Sequence, residues 1–215
     1  MGRPFAIGIS GDSGAGKTTL LKLLSDTLGN NKVIVIEGDG DHKWERNAIE
    51  WNEITHLNPK ANYLYKQAVD IQTLKSGQSI NRHDYDHKTG KFTSLRHLRP
   101  KPYIILSSLH AFYLPQMREI FDLKVFLSPE EKLRRYWKIS RDIHNRGYSK
   151  KTISEQLASR AEDSKNFIQP QIQYADLVIQ YFAPNMKDEF ESDLNPSIWL
   201  RFILSSALNL EPVIN

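Results

Sequence analysis

Gly11-Asp12-Ser13-Gly14-Ala15-Gly16-Lys17-Thr18 follows the spacing G-x-x-x-x-G-K-[ST], directly after an apolar run and at the start of a helical pattern. Glycines let a backbone curl so that successive N–H groups converge on an anion, and a helix N-terminus adds partial positive charge. Chemistry of this type binds the phosphates of a nucleoside triphosphate. Lys17 then reaches the β- and γ-phosphates, the Thr18 hydroxyl holds Mg²⁺, and Thr19 completes the nucleotide-binding set. No guanine-reading Asn-Lys-x-Asp occurs, which favours ATP.

A second group lies after the second apolar run, in Glu37-Gly38-Asp39-Gly40-Asp41-His42-Lys43-Trp44-Glu45-Arg46. Ligands of open α/β sheets gather at the carboxyl ends of the strands. Asp39 is therefore expected near the γ-phosphate, either as the base that takes a proton from an attacking hydroxyl or as a helix N-cap. His42, Lys43 and Arg46 supply cations beside it, as acceptor contacts or as a solvated face.

The elements that must hold these residues can be read along the chain. Phe5–Ser10, Val33–Ile36, Tyr103–Leu106, Leu123–Leu127 and Asp176–Tyr181 are buried-strand candidates. Helical patterns over Thr18–Leu28, Ala61–Leu74, Pro129–Asn145 and Lys150–Asn166 alternate with them, and Ser149 is placed to cap the last. Strands alternating with helices give βαβ units and a mainly parallel sheet. Residues 79–98 interrupt the rhythm with polar residues around Thr89-Gly90, which predicts an inserted β-hairpin. The apolar patch Ile198–Leu204 predicts a docking helix, within a helical tail over 190–215.

At 215 residues the chain suits one domain with an insertion. Its net charge of +4 is too small for a nucleic-acid binder but suits anionic ligands. Absence of cysteine excludes disulfides, thiolate metal sites and a cysteine nucleophile. No stretch is long and apolar enough to span a bilayer and no signal-peptide layout opens the chain, so a cytoplasmic protein without membrane partners is expected.

The phosphate loop together with Glu-Gly-Asp-x-x-His-Lys-x-x-Arg resembles the phosphoribulokinase/uridine kinase family of P-loop kinases. Lys138-Ile139-Ser140-Arg141-Asp142-Ile143-His144-Asn145-Arg146-Gly147 is similar to the family's lid sequence, and Phe167-Ile168-Gln169-Pro170-Gln171 to the segment before its last core strand. The resemblance implies a three-layer, nucleoside-kinase-like P-loop NTPase fold, with the hairpin at 79–98 and a helical lid at about 138–150. It implies that Asp39, Lys17 and Arg141 are catalytic, and that His42, Lys43, Arg46, Lys138, Arg141 and Arg146 contact the acceptor. Mg²⁺ and ATP are the implied cofactor and co-substrate. Without cysteine, the chain is not a thiol-switched phosphoribulokinase of the chloroplast type.

One position departs from the pattern. Leu109-His110 sets the register of the third strand's end, and Ser107 then stands where the family carries an acid. Glu37 is the compensating candidate, since residues i and i+2 of an extended strand share a face and Glu37 is two before Asp39. The metal set expected is therefore Thr18, Asp39 and Glu37. His56, His83, His87 and His97 are either acceptor contacts or surface histidines. Clustered His83, Asp84, Asp86 and His87 also raise a metal site, which is not adopted. The cations favour a kinase of a sugar phosphate over one of a neutral nucleoside such as uridine. Ser107 motivates a third reading, a non-catalytic ATP-binding module. The apolar tail fits a homodimer subunit or one part of a longer polypeptide.

Overall fold

The computed structural model describes residues 2–186 and 196–206, with the side chains of residues 145 and 146 outside the description. In chain order the elements are β1 (Phe5–Gly11), α1 (Lys17–Leu28), β2 (Val33–Glu37), α2 (Leu64–Lys75), β3 (Ile80–Arg82), β4 (Tyr85–Asp86), β5 (Lys91–Phe92), β6 (Arg96–Leu98), β7 (Tyr103–Ser107), α3 (Pro115–Ile120), β8 (Leu123–Pro129), α4 (Glu131–Arg146), α5 (Lys150–Asp163), β9 (Leu177–Phe182) and β10 (Trp199–Leu204). The main sheet has the order β10-β9-β8-β1-β7-β2. All its pairings are parallel except β9 with β10.

Strands apolar on both faces demand cover on both faces. Ile104 and Leu106 of β7 pack with Ile71 and Leu74 of α2 and Phe112, while Ile105 between them packs with Leu21 of α1. All three β7 residues are fully buried, and each such side chain contributes roughly 1.5–3 kcal/mol. This sandwich fixes the carboxyl ends of β1, β2 and β7 on one side of the sheet, where the phosphate loop, Asp39 and Ser107 sit.

The insertion forms two nested antiparallel pairs, β3 with β6 and β4 with β5. Gly147 ends α4 in the left-handed region, at φ 69°, and Ser149 Oγ accepts the Thr152 N–H at 3.1 Å to start α5. Helix α5 ends at Asp163 rather than at Asn166 and widens into a π turn, Ser164–Ile168.

The helix expected over 198–204 is instead strand β10, paired along its whole length with β9. Its spacing suits either period, but Trp, Phe and Ile favour strands and β9 offered an unpaired edge. Residues 190–195 and 207–215 of the expected tail lie outside the described residues. Among the described residues, no helix is long and apolar enough to cross a membrane.

Candidate active site

The phosphate loop joins β1 to α1, and α1 has Gly16 at its N-cap, at φ 93°, with no side-chain cap. Its first N–H groups are thus left to an external acceptor. Lys17 folds back over the loop, Nζ donating to the carbonyls of Gly11 at 2.7 Å and Asp12 at 2.9 Å. Desolvation in this cradle lowers its ammonium to about 8, against the pull of Asp12 and Asp39. Asp12 turns its carboxylate under the loop, accepting from Ser13 N–H at 2.6 Å and from the Ser164 hydroxyl. Arg134 of α4 donates to the Ser13 carbonyl at 2.8 Å. A Cβ on Gly14 would lie 2.9 Å from Lys138 Cβ, so the lid helix packs directly on the loop.

Ser13, Lys17 and Thr18 open onto a cavity of about 690 Å³ that also takes in Glu37, Asp39 and Ser107. Thr19 lies beyond it on α1. Gly38 allows the turn after β2 because a Cβ there would collide with the Ser108 side chain. Asp39 sits between two histidines, with His87 Nε2 at 2.9 Å and His42 Nε2 at 3.6 Å. Burial alone would raise the Asp39 carboxyl, but the hydrogen bond from His87 and the charges of His42 and His87 hold it well below the usual carboxylate range. Burial pushes His42 down against the pull of Asp39. Desolvation pushes the half-buried His56, on the same cavity wall, well down, helped by the charges of Arg160 and His42.

Of the four histidines raised by the sequence, His56 and His87 line the cavity. His83 instead bonds the Thr93 carbonyl and His97 bonds Asn81, both exposed. Asp84 pairs with Arg96, and Asp86 accepts from Lys88 and Thr89 in its own turn. Among the described residues, no three metal-ligating side chains cluster.

The expected acceptor cations are placed differently from one another. His42 and Arg46 line the cavity. Arg46, however, donates to the carbonyls of His87 and Lys88, and its backbone N–H bonds the Gly90 carbonyl at 2.8 Å. It thereby straps the hairpin over the site. Lys43 Nζ lies 5.7 Å from the Tyr63 ring centroid, off the cavity wall. Lys138 is buried on Asp142 at 2.6 Å, and Arg141 pairs with the same carboxylate at 2.8 Å. Burial lowers the Lys138 ammonium to about 8, against the attraction of Asp142. The Arg146 side chain lies outside the description. The sequence reading missed Arg160, Trp51 and Tyr148, which also line the cavity. Gln156, Ser159 and Arg160 share one face of α5 at i, i+3 and i+4, a polar stripe that was legible.

Glu37 and Ser107 are register partners on adjacent parallel strands. Burial, and then the neighbouring Asp39, raise the Glu37 carboxyl. Asp39 lies in a 3-10 turn, Gly38–Asp41, and not on β2 as the shared-face argument for Glu37 assumed, but Thr18, Glu37 and Asp39 line one cavity, and their oxygen donors suit a hard divalent cation.

His110 is buried, its Nε2–H donating to the Leu57 carbonyl at 2.8 Å. Burial lowers its pKa to about 4 from 6.5. Between those values the unfolded chain takes a proton that the native state refuses, so stability falls as pH drops through that window. The cost is on the order of 3 kcal/mol for His110, with His42 and His56 acting in the same direction. Melting temperature is expected to fall from pH 7.5 to pH 5, with a smaller fall in His110→Gln. An equal fall in that variant removes His110 as a cause.

Comparison with known proteins shows the family and the fold. The model of the "Phosphoribulokinase / Uridine kinase family" matches residues 6–187. A phosphoribulokinase of Synechocystis is 36% identical over 192 residues, covering 89% of this chain and 58% of that protein. A uridine kinase of Latilactobacillus sakei is 30% identical over 182 residues, covering 82% of this chain and 85% of that one. The solved phosphoribulokinase from Rhodobacter spheroides superposes with a TM-score of 0.77 at 20% identity, over 99% of this chain and 84% of that one, which shows a shared fold. The chain spans 58% of the Synechocystis phosphoribulokinase and 48% of the wheat chloroplast one.

Proposed function

Since the chain belongs to the phosphoribulokinase/uridine kinase family, we propose that it is an ATP-dependent kinase that phosphorylates a hydroxyl of a sugar phosphate. The observation that carries this reading is the single cavity shared by Lys17, Thr18 and Asp39, with Arg46 and Arg160 further along its wall. The loop amides and Lys17 bind the triphosphate, and phosphate oxygens replace the carbonyls that Lys17 now contacts. Thr18, Asp39 and Glu37 would hold Mg²⁺, which when bound neutralises charge developing on the phosphate oxygens.

Asp39 is ionised throughout the neutral range and accepts a hydrogen bond from the acceptor hydroxyl. As the hydroxyl oxygen bonds to phosphorus its acidity rises steeply, and the proton passes to Asp39 even though that carboxylate is a weak base. His87 and His42 orient the carboxylate. Glu37 offers the negative charge that Ser107 lacks. The homodimer is part of this proposal, supported by exposed Ile198, Trp199, Leu200, Phe202, Ile203 and Leu204.

The test is ADP release from Mg·ATP across a panel of pentose phosphates, hexose phosphates, free sugars and nucleosides. Stimulation by a sugar phosphate, at a kcat/KM at least tenfold above any nucleoside, is the expected result. Preference for uridine supports the nucleoside branch instead. ATP binding without stimulation by any acceptor supports the non-catalytic reading that Ser107 motivates.

A further inference from the structure

We propose that Glu45 is a positioning residue for the candidate base: its carboxylate latches the β4–β5 hairpin so that His87 meets Asp39. The inference rests on the kinase reading and adds to it a residue outside the cavity wall. Glu45 Oε1 accepts the Phe92 N–H of β5 at 2.9 Å. Phe92 is the register partner of Tyr85 on β4, and Thr93, next along, gives its N–H to the Asp84 carbonyl at 2.9 Å inside the hairpin. Successive N–H groups of a strand point to opposite edges, so the Phe92 N–H faces outward, and the Glu45 carboxylate stands where a further strand would pair.

The hairpin needs an outside hold. Each of its strands is two residues long, and a two-stranded hairpin is at best marginal by itself. Two neighbouring residues supply the hold. Arg46 takes the tip, through the His87 and Lys88 carbonyls and its own backbone N–H to the Gly90 carbonyl, and Glu45 takes the returning strand. Held in this way, the hairpin sets His87 Nε2 at 2.9 Å from Asp39. Arg46 lines the cavity, so an anionic ligand there competes with the hairpin carbonyls for its guanidinium. Glu45 lies off the wall, out of that competition. The segment that carries Glu45 is pinned independently of its side chain. The Glu45 carbonyl accepts the Trp51 indole N–H at 2.9 Å and the Ala48 N–H at 3.3 Å, and the Lys43 N–H bonds the Ala61 carbonyl at 3.0 Å. The path to the base is therefore Glu45 carboxylate, β5, hairpin tip, His87, Asp39.

Amide hydrogen exchange and turnover, measured on variants of Glu45 and His87, test the assignment. The Gly90 and Thr93 amides bond the Asp86 and Asp84 carbonyls inside the hairpin. In Glu45→Ala their exchange is expected to quicken roughly tenfold or more, the weight of a hydrogen bond to a charged group. With the acceptor that best stimulates ADP release, kcat is expected to fall roughly 10- to 100-fold, the cost of a displaced reacting group. Affinity for a non-hydrolysable ATP analogue is expected to stay within about twofold of native, since the triphosphate end is built by other residues. Glu45→Gln keeps an acceptor oxygen in place and is expected to hold both exchange and kcat within about threefold of native. In a His87→Ala background, Glu45→Ala is expected to cost less than about threefold more, because the latch then has no imidazole to position.

Unchanged hairpin exchange in Glu45→Ala overturns the latch, and faster exchange with native kcat overturns the positioning role. Both results leave the kinase reading intact. An equal loss in Glu45→Gln shows that charge, and not hydrogen-bond acceptance, is what matters, and overturns the assignment. Fully additive losses in the double variant overturn it too, because Glu45 then does not act through His87. If no acceptor stimulates ADP release by the native protein, the kinase reading itself fails and takes the positioning role with it. Glu45 is only partly buried, so its variants are expected to fold, and melting curves check this. Should Glu45→Ala melt early, Glu45→Asp, which keeps the charge and loses the reach, repeats the test.

Discussion

Asp39→Asn is expected to lower kcat by roughly a hundredfold to ten-thousandfold, the range for loss of a positioned general base. Asparagine keeps the size of the side chain, and its Oδ1 can still accept from His87 Nε2, now 2.9 Å from the carboxylate. Loop geometry should therefore survive while the proton acceptor is lost. KM for Mg·ATP is expected to rise less than kcat falls, because the loop amides and Lys17 hold the triphosphate while Asp39 contributes through the proposed Mg²⁺ set. The native carboxylate is held far below neutrality, so an acidic limb of the rate profile near pH 6 must come from other groups. Turnover of Asp39→Asn within tenfold of native would remove Asp39 from the role of base.

Arg82→Met is expected to cost about 3–5 kcal/mol of stability, the usual consequence of leaving buried carboxylates without their cation. For a chain of this size that is a fall of roughly 6–20 °C in melting temperature. Arg82 is fully buried at the foot of the hairpin. It pairs with Asp41 at 3.0 Å and Asp70 at 3.2 Å, and donates to the Glu37 carbonyl at 3.3 Å. Gln67 also donates to Asp41 at 2.9 Å, and Lys66 pairs with Asp70 at 2.7 Å. The network thus ties β3 and α2 to the turn that carries Asp39. Replacing Arg82, Asp41 and Asp70 together by Met, Asn and Asn is expected to recover much of the loss, because no unpaired charge is then left buried. A single variant that melts within 2 °C of native would show that water reaches the two carboxylates and screens them.

Much of the site was legible because its parts are local. The phosphate loop is one turn between a strand and a helix, so residue type and spacing carry its geometry. Asp39 follows β2, and strand order alone puts it at the ligand-binding edge. Ser107 opposite Glu37 was inferable only through a family register, and the β2–β7 pairing makes those two residues neighbours. Other placements turned on which neighbour the packing brings to each side chain. Lys138 and Arg141 look like lid cations, yet the nearest carboxylate, Asp142, claims both. Arg46 looks like a free acceptor contact until the hairpin, some forty residues later, brings its carbonyls to it. The apolar run 199–204 became a strand because β9 had an edge to fill, a fact that no period in the run encodes.

The sequence by itself determined the class of fold, the phosphate cradle and the candidate base, since each depends on contacts between near neighbours or on alternation of elements. Only the tertiary structure decided which histidines face Asp39, which cations are tied up in structural pairs, and that Arg160 shares the cavity. Some of those outcomes depend on groups that meet across roughly forty residues or more of chain, as His87 meets Asp39 and Arg46 meets the hairpin carbonyls, and others on a near neighbour such as Asp142. Their pairing follows from how the sheet, hairpin and α4–α5 pack, because a buried charge takes whichever partner that packing delivers.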